Sequence, residues 1–192
     1  MEVNQFFNNN MSKKIYFISI VPPEEIRKKI KSLKEEMRER FHAKHALKAP
    51  AHITLQMPFR RDVSFEDKLI PELKKFAAKQ QSFEIHLNGF DCFEPRVIFV
   101  KITNHNPVQA LYSNLRDRLI DTLKFDPDKL KDEIHPHMTI ATRDLKKAFF
   151  YEAWDEFKNR AFVDTFRTNS ITLLKHNGKD WDIYKEFLYT DK

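Results

Sequence analysis

The segments AHITLQMPF (51–59) and HPHMTIATR (135–143) contain the same short pattern of residues. In each, a histidine is followed by an apolar residue, a threonine and a second apolar residue. Because neighbouring side chains of a β-strand point to opposite faces, the histidine and threonine share one face and the apolar pair takes the other. The pattern therefore predicts two strands that enter a core on one side and present a polar pair on the other. The polar pairs are His52 with Thr54 and His137 with Thr139.

The sequence around the two motifs predicts alternating strands and helices. Apolar or alternating runs are typical of strands, and apolar residues at three- and four-residue spacing are typical of helices. Strands are predicted at 14–21, 52–57, 83–90, 96–103, 137–142, 170–176 and 181–189, and helices at 24–41, 64–80, 107–124 and 144–160. Each motif strand precedes a helix, which predicts two similar α+β lobes joined in the 90–105 region.

The composition favours one domain with an anionic partner. The chain has 192 residues, which is enough for one domain with two lobes. Its formal net charge of +6 favours nucleic acid or nucleotides, although many soluble proteins are mildly basic. The Asn-rich residues 1–12 are interpreted as an arm, and residues 13–192 as a single bilobal domain. With neither a signal peptide nor a membrane-length apolar run evident, we expect a soluble, cytoplasmic protein with no membrane association.

The scarcity of cysteine and glycine excludes several kinds of site. Cys92 is the single cysteine, so the chain has neither a disulfide framework nor a Cys-rich zinc site. Gly89 and Gly178 are the only glycines. A Walker-type phosphate loop needs two glycines close together, and a dinucleotide fingerprint needs three. Phosphate chemistry in this protein must therefore use side chains, and no cofactor is predicted.

Paired histidines and threonines suit acid–base chemistry at phosphorus. An imidazole has an ordinary pKa of about 6.5, so it can give or take a proton at neutral pH. Across a groove, one imidazole can take a proton from water while the other gives one to the leaving oxygen. A threonine hydroxyl two residues along can hydrogen-bond a non-bridging phosphate oxygen. The residues alone leave open that each motif is only the half-buried polar face of a strand.

The sequence resembles the two-histidine (2H) phosphoesterase superfamily. The resemblance is strongest to its bacterial 2'-5' RNA ligase and RNA 2',3'-cyclic phosphodiesterase branch, and it covers most of the chain from about residue 14. AHITL (51–55) and PHMTIA (136–141) are similar to the signature strands of the family. YFISIVPPEEI (16–26) is similar to its opening strand and helix, and ITLLKHNGKDWDIYKEFLY (171–189) to its closing hairpin.

The resemblance implies a fold, an activity and a site. The fold would be α+β, a duplicated bilobal arrangement with antiparallel sheets lining a central groove and helices outside. His52 and His137 would be the acid and base, and Thr54 and Thr139 the phosphate ligands. The activity would be metal-independent hydrolysis of a 2',3'-cyclic phosphate at an RNA end or on a small cyclic nucleotide. Some relatives also join RNA ends through a 2'-5' bond without ATP.

Other residues near the motifs are candidate substrate contacts. Arg60 and Arg143 could hold flanking phosphates of RNA, as could Lys48 and Arg61. Phe59 and Tyr184 could stack on a base, although core packing explains Phe59 equally well. For each cation the alternative is an ordinary solvated residue.

Two other functions are compatible with the motifs. The same groove could bind RNA or a nucleotide without turning it over. His135 and His137 could instead form a metal pair, although no third ligand stands at a recognisable spacing. The substrate, the division of acid and base between the histidines, and any protein partner are not determined by the residues.

Overall fold

The computed structural model of the protein describes residues 13–190, and the predicted arm at residues 1–12 lies outside them. Within this range the chain forms eight strands and four α-helices. In chain order they are β1 (Lys13–Ile20), α1 (Glu24–Phe41), β2 (Ile53–Asp62), α2 (Glu66–Ala77), β3 (Phe83–Phe93), β4 (Val97–Ile102), α3 (His105–Asp121), β5 (His137–Ala141), α4 (Lys147–Phe157), β6 (Val163–Thr168), β7 (Ser170–His176) and β8 (Trp181–Leu188).

The strands form two antiparallel sheets of four strands each. The first has the order β2-β1-β7-β8 and the second has the order β5-β4-β3-β6. Helix α2 contacts β8 of the first sheet, and α4 contacts β4 of the second. The predicted α+β fold with two antiparallel sheets is therefore confirmed. The two motif strands, β2 and β5, are each an edge strand, and they contact each other.

Strand β6 and the crossing between the sheets differ from the prediction. The sequence VDTFRT of β6 is mostly polar, and only Phe166 and Thr168 are buried, so it has no apolar run that marks a strand. The chain enters the second sheet at β3 and leaves it after β6, where Asn169 joins β6 to β7. The predicted junction at 90–105 is therefore wrong, because that region contains the hairpin of β3 and β4 within one sheet.

Helix α1 follows β1 of the first sheet and packs on the second half of the fold. It begins after Pro23, with Glu24 and Glu25 in its first turn, where carboxylates interact favourably with the helix dipole. Its buried face contacts β5 of the second sheet and helix α4. Within the described residues, no helix combines the length and the apolar character that a bilayer crossing requires.

Ion pairs reinforce the contact of α1 with the second half. Lys29 lies 2.9 Å from Asp164, and Arg160 lies 2.8 Å from Glu36. Exposed ion pairs contribute only about 0–1 kcal/mol each. The buried apolar side chains of α1 must therefore supply most of the stabilisation, since apolar burial contributes about 25 cal/mol per Å². Those side chains are Ile26, Ile30, Leu33, Met37 and Phe41.

Candidate active site

The two motif histidines are held by the same backbone contact. Nδ1 of His52 lies 2.8 Å from the carbonyl oxygen of Pro50, and Nδ1 of His137 lies 2.6 Å from that of His135. A carbonyl oxygen only accepts hydrogen bonds, so Nδ1 carries the hydrogen in both rings. When the rings are neutral, Nε2 of each carries the lone pair. Both imidazoles are thus oriented with Nε2 available as a proton acceptor.

An aromatic ring from the neighbouring strand packs against each imidazole. The Phe17 ring of β1 lies 4.8 Å from the His52 ring, centroid to centroid. The Phe99 ring of β4 lies 4.8 Å from the His137 ring, and the Phe93 ring of β3 lies 5.1 Å from it. Together with the carbonyl contacts, these rings restrict how each imidazole can turn.

The environment lowers the pKa of both imidazoles. Burial is the main cause for His52, whose pKa falls to about 4, and the charge of Lys34 lowers it further. A proton on His137 also lowers the pKa of His52. The strands that carry the two rings, β2 and β5, contact each other. Burial is likewise the main cause of the lowered pKa of His137, assisted by the charges of His135 and Lys131. Both imidazoles are therefore neutral at pH 7.

The two motif threonines are half-buried and have free hydroxyls. Within residues 13–190, neither Thr54 nor Thr139 forms a side-chain hydrogen bond to the protein. Thr54 is paired with Ser19 of β1, which in turn is paired with Thr172 of β7. The hydroxyl of Ser19 is buried and has no partner in the described part of the chain. Ser19 was not among the predicted site residues, although it is the one serine within the apolar run YFISIV.

Phe59 and Tyr184 lie away from the imidazoles. The Phe59 ring stacks on that of Tyr16, with centroids 5.8 Å apart. The Tyr184 hydroxyl donates to Glu66 at 2.5 Å, and Glu66 also accepts from Tyr16. Tyr16 and Phe17 are neighbours in β1, so they point to opposite faces, and His52 is on the face of Phe17. The structure therefore does not bring Phe59 or Tyr184 to the motif histidines.

The candidate arginines have separate positions. Arg60 is exposed and is paired with Ile15, towards the far end of β2 from His52. The Arg61 guanidinium lies 4.6 Å from the centre of the Phe125 ring. Arg143 is exposed and follows β5, and its positive charge contributes to the lowered pKa of His45, of which burial is the main cause. Of the three arginines, Arg143 is thus the one that follows β5 and acts on His45, in the segment before His52.

Asp144 fixes the loop that leads to the first histidine. Its carboxylate accepts hydrogen bonds from the backbone N–H of Lys44, at 3.0 Å, and of His45, at 2.9 Å. Asp144 closely follows β5, whereas Lys44 and His45 lie before His52. The contact therefore ties the segment before one motif to the segment after the other, which favours a constant spacing between the two histidines.

Lys34 is a buried cation beside His52. Its side chain lies on the buried face of α1 and the residue is 2% exposed. Its ammonium donates to the carbonyl oxygen of Ala49 at 3.0 Å, and burial lowers its pKa to about 8. Lys34 was not among the predicted site residues, because α1 contains five other lysines and arginines before Arg40 and nothing in the pattern marks which cation is buried.

His135 and His137 lie near a third histidine. The ring of His135 lies 4.9 Å from that of His105 and 6.3 Å from that of His137. Among the residues that the structure describes, however, no three His, Cys, Asp or Glu side chains are arranged as a metal site. The structure thus supplies no third ligand, within the described residues, for a metal bound by His135 and His137.

Sequence comparison assigns the chain to a family. The profile of the 2'-5' RNA ligase superfamily matches residues 22–180, which include both motifs. The chain belongs to the 2'-5' RNA ligase superfamily. The resemblance to 2H phosphoesterases seen in the motifs is thereby confirmed.

One relative in sequence and two solved structures are similar to this chain over most of its length. The chain is 28% identical to a putative phosphoesterase of Oceanobacillus iheyensis over 180 residues, which are 90% of this chain and 96% of that protein. It resembles the crystal structure of TT0787 of Thermus thermophilus with a TM-score of 0.67 and 19% identity, over 91% of this chain and 97% of that chain. It resembles E. coli LigT complexed with 3'-AMP with a TM-score of 0.67 and 18% identity, over 94% of this chain and 100% of that chain.

Proposed function

We propose that this phosphoesterase hydrolyses a 2',3'-cyclic phosphate, at an RNA end or on a small nucleotide, by metal-independent acid–base catalysis with His52 and His137. The observation that carries the proposal is the matched anchoring of the two imidazoles. Each Nδ1 is held by a backbone carbonyl, and each Nε2 is left to exchange a proton. Solved complexes of E. coli LigT with 3'-AMP, ATP and NADP+ support a nucleotide as the ligand.

In the proposed reaction, His52 is the base and His137 is the acid. Burial and the nearby Lys34 keep His52 neutral, so its Nε2 can accept a proton from the attacking water. The water oxygen forms a bond to phosphorus, and the bond from phosphorus to one ribose oxygen breaks. His137, protonated on Nε2 when the anionic substrate is bound, donates that proton to the leaving oxygen. The product is a phosphomonoester, and proton exchange with solvent restores both rings.

The same arrangement can serve ligation. If a 5'-hydroxyl replaces water as the nucleophile, attack on the cyclic phosphate joins two RNA ends and releases no other product. No ATP is needed, because the strained cyclic diester already carries the leaving group. Ligation is therefore proposed as a second activity of the same two histidines, and a 5'-hydroxyl acceptor oligonucleotide tests for it. A non-catalytic nucleotide-binding module is the alternative function.

The direct test uses an oligonucleotide that ends in a 2',3'-cyclic phosphate. We expect conversion to a phosphomonoester, detected by ³¹P NMR and by sensitivity of the product to phosphatase. The rate should be the same in EDTA. Loss of activity in the chelator would replace the proposal with a metal-dependent mechanism. Binding of the oligonucleotide without any product would favour the binding module.

The pH dependence follows from the lowered pKa values. In the free enzyme, His52 must be neutral and His137 must be protonated, so kcat/KM should be bell-shaped. Its acidic limb should lie near pH 4, the pKa of His52. Its basic limb should lie below the ordinary value of 6.5, because burial lowers the pKa of His137. The basic limb of kcat should move to higher pH, since a bound phosphate anion favours protonated His137. An optimum of kcat/KM above pH 8 would contradict this assignment.

The threonine hydroxyls should contribute to phosphate binding. We expect Thr54→Ala and Thr139→Ala each to lower kcat/KM by about 10-fold, which corresponds to one hydrogen bond to a charged group. Both side chains are half-buried and make no protein hydrogen bond in the described residues, so the fold should tolerate the change. Thr165→Ala, at an exposed position of β6, is the matched control. If kcat/KM is unchanged in both motif variants, the threonines do not bind the phosphate.

A further inference from the structure

A cavity beside His52 concentrates positive charge. Its volume is about 440 Å³, and its walls come from α1, the segment before His52 and the start of β8. Five basic and two acidic side chains line it. They are Arg27, Lys28, Lys31, Lys34 and Lys48, with Glu24 and Asp180. The excess of cations makes the cavity attractive to an anion.

Three of these cations have no acidic partner in the described part of the chain. The Lys34 ammonium is buried and donates only to the carbonyl oxygen of Ala49. Nε of Arg27 is buried and forms no hydrogen bond there. Lys48 is exposed and forms no ion pair among residues 13–190. Removing a cation from water is costly in free energy unless an anion or several hydrogen bonds compensate. Because Arg27 and Lys34 are withdrawn from water without an anionic partner, they point to an anionic ligand, and the exposed Lys48 adds to the positive charge.

The cavity shares its walls with the catalytic histidine. Pro50 and Ala51 line the cavity and directly precede His52, and the Pro50 carbonyl holds the His52 ring. The Phe17 ring contacts His52 on one side and Trp181, a cavity residue, at 4.6 Å. A ligand whose reacting group lies at His52 can thus extend directly into the cavity.

We propose that the cavity binds a second phosphate of the substrate, adjacent to the cyclic phosphate in the nucleotide chain. This inference rests on the proposed function and narrows its substrate class. The substrate would be a nucleotide with a further phosphate on the 5' side of the reacting ribose. That phosphate could be an internal diester of an oligonucleotide or a free 5'-phosphate. A nucleoside cyclic phosphate without it would leave Arg27, Lys34 and Lys48 without an anionic partner.

Equilibrium binding of product-like probes tests the cavity without requiring turnover. The probes are uridine 3'-phosphate (Up), its 5'-phosphorylated form (pUp) and the dinucleotide UpUp. Calorimetry at low salt should show that UpUp binds about 10-fold tighter than Up, as expected for added charge-assisted hydrogen bonds. If pUp binds as tightly as UpUp, a free 5'-phosphate is enough to occupy the cavity. If only UpUp binds more tightly than Up, the cavity requires a phosphodiester. Either result supports the cavity, whereas equal affinity for all three probes would overturn it.

Charge removal at the cavity provides the matched variants. Lys31→Ala/Lys48→Ala removes two exposed cavity lysines and should abolish the preference for UpUp over Up, with little change in the affinity for Up. Lys75→Ala/Lys79→Ala is the control, because both lysines are exposed at or near the end of α2, and Lys75 pairs with Glu72 as Lys31 pairs with Glu35. A preference that survives in the cavity variant would overturn the inference, even if cyclic phosphates are hydrolysed. If the preference for UpUp depends on the cavity lysines but no cyclic phosphate is hydrolysed, the cavity is a phosphate site and the proposed reaction is wrong.

Discussion

Replacing His52 or His137 with alanine should lower kcat for cyclic phosphate hydrolysis by about 10²- to 10⁴-fold, the usual contribution of acid–base catalysis. His52→Ala removes the group that accepts the proton of water, and His137→Ala removes the group that protonates the leaving oxygen. Because the two act in one step, the double variant should lose little more than either single variant. Single-turnover assays with a cyclic-phosphate oligonucleotide measure these losses.

The histidine variants should remain folded. His52 and His137 are partly exposed, and each makes one backbone hydrogen bond and aromatic contacts. His86→Ala is the matched control, because His86 is exposed on β3 and its ring has a polar contact only with Glu84 among residues 13–190. Thermal unfolding of all three variants should stay close to that of the unmodified protein. Activity that survives in both motif variants would exclude the proposed mechanism, whereas unfolding of both would indicate that the histidines are structural.

Replacing Lys34 with methionine should stabilise the protein at pH 7 by about 2 kcal/mol. Burial lowers the pKa of Lys34 from 10.5 to about 8, so the charged form is disfavoured in the folded state. At about 1.4 kcal/mol per unit of pKa, the cost at pH 7 is at most about 3 kcal/mol. The lost hydrogen bond to Ala49 offsets about 1 kcal/mol of the gain. Methionine fills a similar volume without a charge, which keeps the packing of α1.

The pH dependence of the stabilisation by Lys34→Met tests whether it comes from removing a buried charge. Between pH 8 and 10.5 the unfolded chain binds more protons at position 34 than the folded chain, so the stability of the unmodified protein rises with pH there. Urea unfolding should therefore show the advantage of Lys34→Met shrinking across that window. Lys74→Met, at an exposed position of α2, should show neither the gain nor its pH dependence. Destabilisation of Lys34→Met at pH 7 would mean that the ammonium contributes net stability.

Lys34→Met should also change the pH profile of the reaction. The charge of Lys34 lowers the pKa of His52, so its removal should raise that pKa and move the acidic limb of kcat/KM to higher pH. A purely structural role of Lys34 would leave the limb in place. This measurement separates the electrostatic influence of Lys34 on His52 from its effect on folding.

The sequence by itself determined the fold class, the family and the two motif strands. Alternation of polar and apolar residues is a local property, so it shows that His52 and Thr54 share one face of a strand, as do His137 and Thr139. The apolar stripe of α1 is local in the same way. Strand β6 was not predicted from the sequence, because its six residues are mostly polar. It is a strand chiefly because β3 provides its hydrogen-bond partners.

The tertiary structure alone decided which residues meet. Phe59 and Tyr184 were candidate substrate contacts by sequence. In the structure they lie on the face of the first sheet that carries Tyr16, which is opposite the face of His52. Lys34 is one of many cations on α1, and only the packing of that helix made it the buried one beside the first histidine. The alternation of residues in a strand shows which side chains share a face, but it does not show which face packs against the other sheet. Likewise, the positions of charged residues in a sequence do not show which of them are buried away from water. Both are set by contacts between residues far apart in the chain.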